Sequence, residues 1–432
     1  MKSKIIVATL VILVVIVSVF ALVGCGKLND EEIENKEENV DSFPSDTGNL
    51  ESDYTLEFKV NADSSTCSVF KIHSKSGKEV EKVVIPKEND NRIVTGIMNK
   101  AFEKCLIFNT IELPESITKI GDSAFEGCSN LKEINLPESL VSIGSRAFAD
   151  CKSLNKIVLP SNLESIGDSA FENCTNLTSI SVPDSLKNLG ENIFASCNIT
   201  ELSIPLKLIE RVDITKVTNL TISSGEIGAE MFQRNNTLEQ ITIGSGVKVV
   251  GESAFTYCDN LKKIIVNEGV KRIESNSFSH CENLTSITIP ASVENIGERT
   301  FGYNVKLEEI QVSEENIVYK SEGNCILSKD GQALILGCKT SEIPQGVVEI
   351  KSYAFAKCTE LTEITIPNSI EKIESNAFVS CKNIKRIYYQ GTQTEWNNIE
   401  KETNWISNMN IEILFVQNDC FKRITLKINL KR

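Results

Sequence analysis

Along most of the chain, apolar and polar positions recur in one fixed order. The stretch "SLVSIGSRAFADCKSLNKIVLP" at 139–160 returns one step later as "NLESIGDSAFENCTNLTSISVP". The shared frame is Ile-Gly-x-x-Ala-Phe-x-x-Cys-x-x-Leu-x-x-Ile. Eleven Phe residues mark it: Phe102, Phe125, Phe148, Phe171, Phe194, Phe232, Phe255, Phe278, Phe301, Phe355 and Phe378. They lie 23 residues apart, except that extra material falls between 194 and 232 and between 301 and 355.

Within one copy the pattern predicts a strand, a turn and a short helical piece. In "LKEINLP", Ile134 and Leu136 share one strand face with Leu131 leading in. Pro137 cannot donate to a ladder and ends the strand. Leu140 and Ile143 continue the core on the return path. Gly144 is read as a turn residue, Ser145 as the N-cap of one helical turn, and Phe148 as pointing inward. A single copy has no second layer, so the copies must bury one another by stacking. The period of 23 falls in the leucine-rich-repeat range. The fold class is an α/β repeat, a leucine-rich-repeat solenoid of 23-residue coils with a parallel sheet on one face.

The flanks read differently. Residues 1–24 hold Lys2 and Lys4, an apolar run and then "LVGC", which resembles a bacterial lipoprotein signal with Cys25 as the lipidated residue. The alternative is a retained transmembrane anchor, and both place the rest outside the cytoplasm. Residues 25–52 are acidic, lack periodicity and read as a disordered tether. Residues 53–98 alternate as a small β-structure capping the array, which spans 99–389. A hairpin-like insertion at 313–342 carries the turn signal Asp330-Gly331. Residues 390–415 form a closing cap in which Trp396 and Trp405 cover the last coil. A basic tail, 416–432, follows with Lys422, Arg423, Lys427, Lys431 and Arg432.

Composition narrows the function. The net charge of −14 argues against general nucleic-acid binding. Two His in 432 residues count against a His-based metal or acid–base site. Fourteen Cys suggest a disulfide framework at first sight. However, nine of them (Cys105, Cys128, Cys151, Cys174, Cys197, Cys258, Cys281, Cys358 and Cys381) stand three places after the marker Phe, and two other copies put Asn235 and Asn304 there. A disulfide position does not interchange with Asn, whereas a small buried turn position does. The ladder cysteines are therefore read as space-filling. Cys325 and Cys338 flank "SKDGQ", where a bond is conceivable but unsupported by spacing. His280 beside Cys281 suggests a dyad, but adjacent side chains rarely aim at one another. No catalytic residue, metal or cofactor is expected.

The frame L-x-x-I-x-L-P-x-S-L-x-x-I-G-x-x-A-F-x-x-C, with "NIVYKSEGNCILSKDGQALIL" and the closing "GTQTEWNNI", resembles the BspA-like leucine-rich repeat surface proteins. The resemblance spans about 54–415. It implies a curved right-handed solenoid, exposure at the cell surface, and adhesion or ligand binding. The candidate binding face consists of outward strand residues: Glu112, Glu133, Asn135, Lys156, Ser179, Glu201, Gln240, Lys263, Thr288, Glu309, Glu363, Arg386 and Tyr388. The expected partner is an extracellular or host protein, or cell-wall polymer. The chain is read as a monomer, held at the membrane through its lipid anchor. Ile193-Phe194 and Met231-Phe232 depart from Ala-Phe, so the coil between them is expected to be distorted. Two rival functions remain: an envelope scaffold that binds glycan or another envelope protein, and an enzyme using the insertion.

Overall fold

The computed structural model describes residues 53–407, 410–417 and 420–422. The signal segment, Cys25, the tether up to residue 52 and the tail beyond Lys422 lie outside the described residues.

The strand begun by each leading Leu forms as its alternation requires. Phe108–Glu112, Glu133–Asn135 and Lys156–Val158 pair in parallel, with Ile111, Ile134 and Ile157 in one register. Their side chains face the core, and the residues on either side face out. A second parallel ladder runs along each coil's return path. Lys119–Ile120, Ser142–Ile143, Ser165–Ile166 and Asn188–Leu189 stack with Ile120, Ile143, Ile166 and Leu189 aligned. These two-residue strands are too short to show alternation, so the sequence marks their core residues but not the ladder.

The helical piece is a correction. Among the described residues the coils between Gly144 and Cys151 and their equivalents hold turns, and α-helix occurs only at Gln393–Asn398. Arg146 and Asp150 are left-handed, with φ of 55° and 59°. The same pair recurs as Ser169/Asn173 and Asn192/Ser196. A left-handed non-glycine residue costs roughly 1–2 kcal/mol, and the hydrogen bonding offsets it. The N–H groups of Arg146, Phe148 and Asp150 each donate across 2.8 Å to Asp168, Ala170 and Glu172 of the following coil. The intervening N–H groups of Ala147, Ala149 and Cys151 donate back to the carbonyls three residues earlier, at 3.3, 3.0 and 3.2 Å. A continuous helix would use all of these N–H groups locally and leave none to bind the next coil. Ser145 is accordingly no helix cap; its N–H donates to Asp122 Oδ1 at 2.8 Å. Gly144 serves close approach, since a Cβ there would stand 2.5 Å from the Asp122 nitrogen.

Inside the turns the Phe rings stack. Phe148 lies 5.2 Å from Phe125 and 5.3 Å from Phe171, with planes within 6° and 1° of parallel. The ladder is interrupted twice. After Phe194 a 3-10 helix, Leu206–Arg211, takes the place of a Phe turn, and stacking resumes only at Phe232 and Phe255. This is the distorted coil that Ile193 and Met231 flagged. At the second break Tyr319–Glu322, Cys325–Ser328 and Ala333–Leu336 form an antiparallel meander. Gly331 makes its tight turn at φ 78°, and Ala333–Leu336 then rejoins the return ladder beside Glu349–Ile350.

The ends are covered. Tyr54–Val60 pairs antiparallel with Thr66–Ser74, which runs parallel to Arg92–Ile97. At the far end Trp405 meets Phe378 edge-on at 6.0 Å. Thr392 and Glu395 form a capping box that starts Gln393–Asn398 and seats Trp396 against Trp405 at 6.2 Å.

Candidate functional site

The outward residues of the longer strands come together in three parallel ladders. In the first, Thr110, Glu133 and Lys156 are in register, with Glu112 beside Asn135. In the second, Ser179, Glu201, Asn219, Gln240, Lys263, Ser286 and Glu309 follow one another. Thr288 lies in the same ladder, opposite Gln311. In the third, Glu363, Arg386 and Glu412 align, and Tyr388 neighbours Thr365. All thirteen proposed residues are exposed or half-buried. The sequence reading missed Asn219 and Thr221, because their coil lacks the Ala-Phe-x-x-Cys frame. The Leu220 and Ile222 alternation was the available signal.

Some charges on this face are paired, while Glu133, Glu201 and Glu309 have no cation within salt-bridge distance among the described residues. Lys82 meets Glu112, and Arg386 stands 3.8 Å from Glu363 and 3.5 Å from Glu412. The Tyr388 hydroxyl donates to Glu363 Oε2 at 3.3 Å. Lys156 and Lys263 have no carboxylate within salt-bridge distance among the described residues and present their charge to solvent. At the insertion's exit, a groove of about 400 Å³ is lined by Ser341, Glu342, Glu363, Thr365, Tyr388 and Gln390.

The cysteine slot is now explained. Cys128, Cys151 and Cys174 donate from Sγ to the carbonyls of Phe102, Phe125 and Phe148 at 3.0, 3.1 and 3.1 Å. Asn304 makes the same bond, with Nδ2 3.0 Å from the Phe278 carbonyl, and its Oδ1 also accepts the Cys281 N–H at 2.8 Å. Both residue types satisfy one buried carbonyl. The twelve cysteines whose side chains are described are free, Cys325 and Cys338 included. Burial pushes the Cys151 thiol up to about 12, so it stays protonated and unreactive.

His280 and Cys281 point apart. The thiol is fully buried and donates to the Phe255 carbonyl at 3.3 Å, while the imidazole stacks outside between Tyr257 and Tyr303, at 4.4 and 4.3 Å. Burial, followed by the nearby Lys357, lowers the His280 pKa. This aromatic stack, one ring per coil, was not foreseen. Its signal was an aromatic or basic residue in the slot two places after the marker Phe.

Sequence models of known families match 95–214, 225–327 and 336–428 as the BspA type Leucine rich repeat region, in six copies. The chain belongs to the BspA-type leucine-rich repeat family. Similar solved structures include a leucine rich cell surface protein of Faecalibacterium prausnitzii, 24% identical, with 81% of this chain aligned to 96% of that one at a TM-score of 0.33. A leucine-rich repeat protein of Bacteroides ovatus is 20% identical over 84% of this chain and 98% of its own, with a TM-score of 0.35. The T. pallidum leucine rich repeat protein is 24% identical over 53% of this chain and 87% of its own, at 0.32. No curated protein sequence matches the chain. For a BspA-type chain the strand ladders and the turn ladder are the scaffold, and the strand face presents registered rows of exposed polar residues. Among the described residues, no group of three or more His, Cys, Asp or Glu could hold a metal, and no helix is long and apolar enough to cross a membrane.

Proposed function

We propose that this is a non-catalytic surface protein, lipid-anchored at Cys25, that binds an extracellular protein through its strand face. The observation that supports this reading is the registered face itself, with thirteen named outward residues that are short and mostly polar. Among the described residues, Lys156, Lys263, Glu133, Glu201 and Glu309 carry charge there without a salt bridge, and the two lysines are its unpaired cations. Tyr388 is its one aromatic among those residues, so contacts are spread out and individually weak.

The test measures binding of the full chain in detergent to a panel of matrix proteins and to purified wall polymer. Saturable binding to a protein, lost in Lys156→Glu with Lys263→Glu, supports the reading. Arg386 is left intact because reversing it would set it against Glu363 and Glu412. A second reading, an envelope scaffold holding glycan, is favoured by the Tyr388 groove. Its ring, carboxylates, hydroxyls and amide suit a neutral sugar. Binding to wall polymer alone, lost in Tyr388→Ala, would replace the first reading with the second.

A further inference from the structure

From the Phe102 coil through the Phe171 coil the turn ladder passes three N–H groups to the next coil, and the shortened coil after Phe194 breaks the series. The N–H groups of Ser169, Phe171 and Asn173 still donate to Glu191, Ile193 and Ala195, at 2.8, 2.9 and 2.9 Å. Asn192, Phe194 and Ser196 carry the next three donors. The coil that should receive them holds the 3-10 helix Leu206–Arg211 instead of a Phe turn, and among the described residues no acceptor meets any of the three. Asn192 and Ser196 keep the left-handed φ of the ladder, 55° and 62°. The three N–H groups therefore stay parallel and face the side where the following coil supplies no carbonyls.

The three residues border a pocket of about 280 Å³ together with Arg211, Asp213 and Lys216. Arg211 spends one N–H on the Leu189 carbonyl at 3.3 Å, which leaves the rest of its fork. Lys216 donates to the Cys197 carbonyl at 3.2 Å and to Asn198 Oδ1 at 3.3 Å, which leaves one of its three donors. The Asp213 carboxylate accepts the Thr215 N–H at 2.9 Å and so engages its own turn. Two cations and one anion give the lining a net charge of +1, on a chain of net charge −14. At the second break one of the three equivalent donors is taken up: Tyr303 N–H reaches the Ala356 carbonyl, while among the described residues no acceptor meets the N–H of Arg299 or Phe301. There Gly337 packs on the Phe355 ring and the Arg299 guanidinium lies on Tyr353 at 4.0 Å.

We propose that the pocket beside Phe194 binds a phosphate group. Three parallel backbone donors exceed what the two oxygens of a carboxylate can use in one plane, whereas a tetrahedral oxyanion offers a separate oxygen to each. Arg211 and Lys216 supply the charge, the guanidinium as a fork and the ammonium as a point. The site lies on the turn side and does not depend on the strand face.

The test titrates isotope-labelled full chain in neutral detergent with inorganic phosphate, and follows the backbone amides of Asn192, Phe194 and Ser196 by NMR. Saturable downfield shifts of all three are expected. Arg211→Gln with Lys216→Gln weakens binding by roughly tenfold or more, while the far-UV circular dichroism stays that of the parent chain. Asp213→Asn tightens it, and Lys156→Glu on the strand face has no effect. Glycerol phosphate binding as tightly as inorganic phosphate identifies a phosphate carried on a larger molecule; tighter binding of the inorganic ion identifies free phosphate. Shifts that do not saturate, shifts indifferent to the double substitution, or equal affinity for acetate overturn the proposal.

Discussion

Replacing Phe148 by Ala tests the stacking directly, especially beside the same change at Phe194. Phe148 is fully buried and has a parallel ring on each side, at 5.2 and 5.3 Å. Removing it loses the transfer free energy of the ring and leaves a cavity that both neighbours line. That cost is about 3–5 kcal/mol, with two ring contacts included. Phe194 is half-buried, stacks only on Phe171 at 5.7 Å, and borders a pocket that already exists. Its loss creates less new cavity and one broken ring contact, for about 2 kcal/mol. Urea unfolding of the full chain, followed by far-UV circular dichroism, reads both as midpoint shifts at unchanged slope. The stacking account fails if Phe148→Ala shifts stability by under about 1 kcal/mol, or by no more than Phe194→Ala does.

Cys151→Asn should cost under about 1 kcal/mol, because Asn304 shows the amide making the same carbonyl bond; Cys151→Val, with no donor and an added branch, should cost about 1–3 kcal/mol in the same urea assay. In the native chain a thiol reagent at pH 8 should reach half-exposed Cys105 well before Cys151 or Cys258, whose thiols burial raises to about 12. Burial pushes Glu374 up, but the Ser352 N–H and Lys351 outweigh it and hold the carboxyl down at about 2. A depressed native pKa stabilises above the unfolded value near 4.5 and the gain is lost as pH falls toward 2, so Glu374→Gln should cost about 1 kcal/mol at pH 7 and little at pH 2. Arg146→Ala breaks contacts with Glu126, Asp150 and Glu172 at 2.8, 3.6 and 2.6 Å, and its cost of about 1 kcal/mol should shrink in 1 M salt.

The repeat was legible because stacked coils impose the same burial at each step. Leu131, Ile134, Leu140, Ile143, Phe148 and Cys151 are all buried where the pattern put them. The turn between Gly144 and Cys151 was not legible. Its spacing of Ala147, Phe148 and Cys151 also suits a helical turn, and the left-handed slots are filled by Arg, Ser, Asn, Asp and other side chains, with a glycine at Gly127 alone among the described coils. What decides the conformation is the neighbouring coil's row of carbonyls, which no local pattern encodes. The candidate face was legible by alternation wherever the Phe frame was intact. It was missed at Asn219 and Thr221, where the frame is absent although the strand is present. The amides of Asn192, Phe194 and Ser196 were out of reach for another reason, since backbone groups carry no residue code.

The turn ladder has a direction. Every rung from Lys100 to Asn173 carries its N–H toward the following coil, so the peptide dipoles on that side add along the solenoid axis instead of cancelling as they do in a sheet. The two ends of the stack are thus electrically unlike: the leading end offers carbonyls and the trailing end offers N–H groups. The chain closes its trailing end with the carbonyls of Asn404 and Trp405 and the Ser407 hydroxyl. Any cut within the array would expose donors on one fragment and acceptors on the other, and the pieces could rejoin in one orientation only.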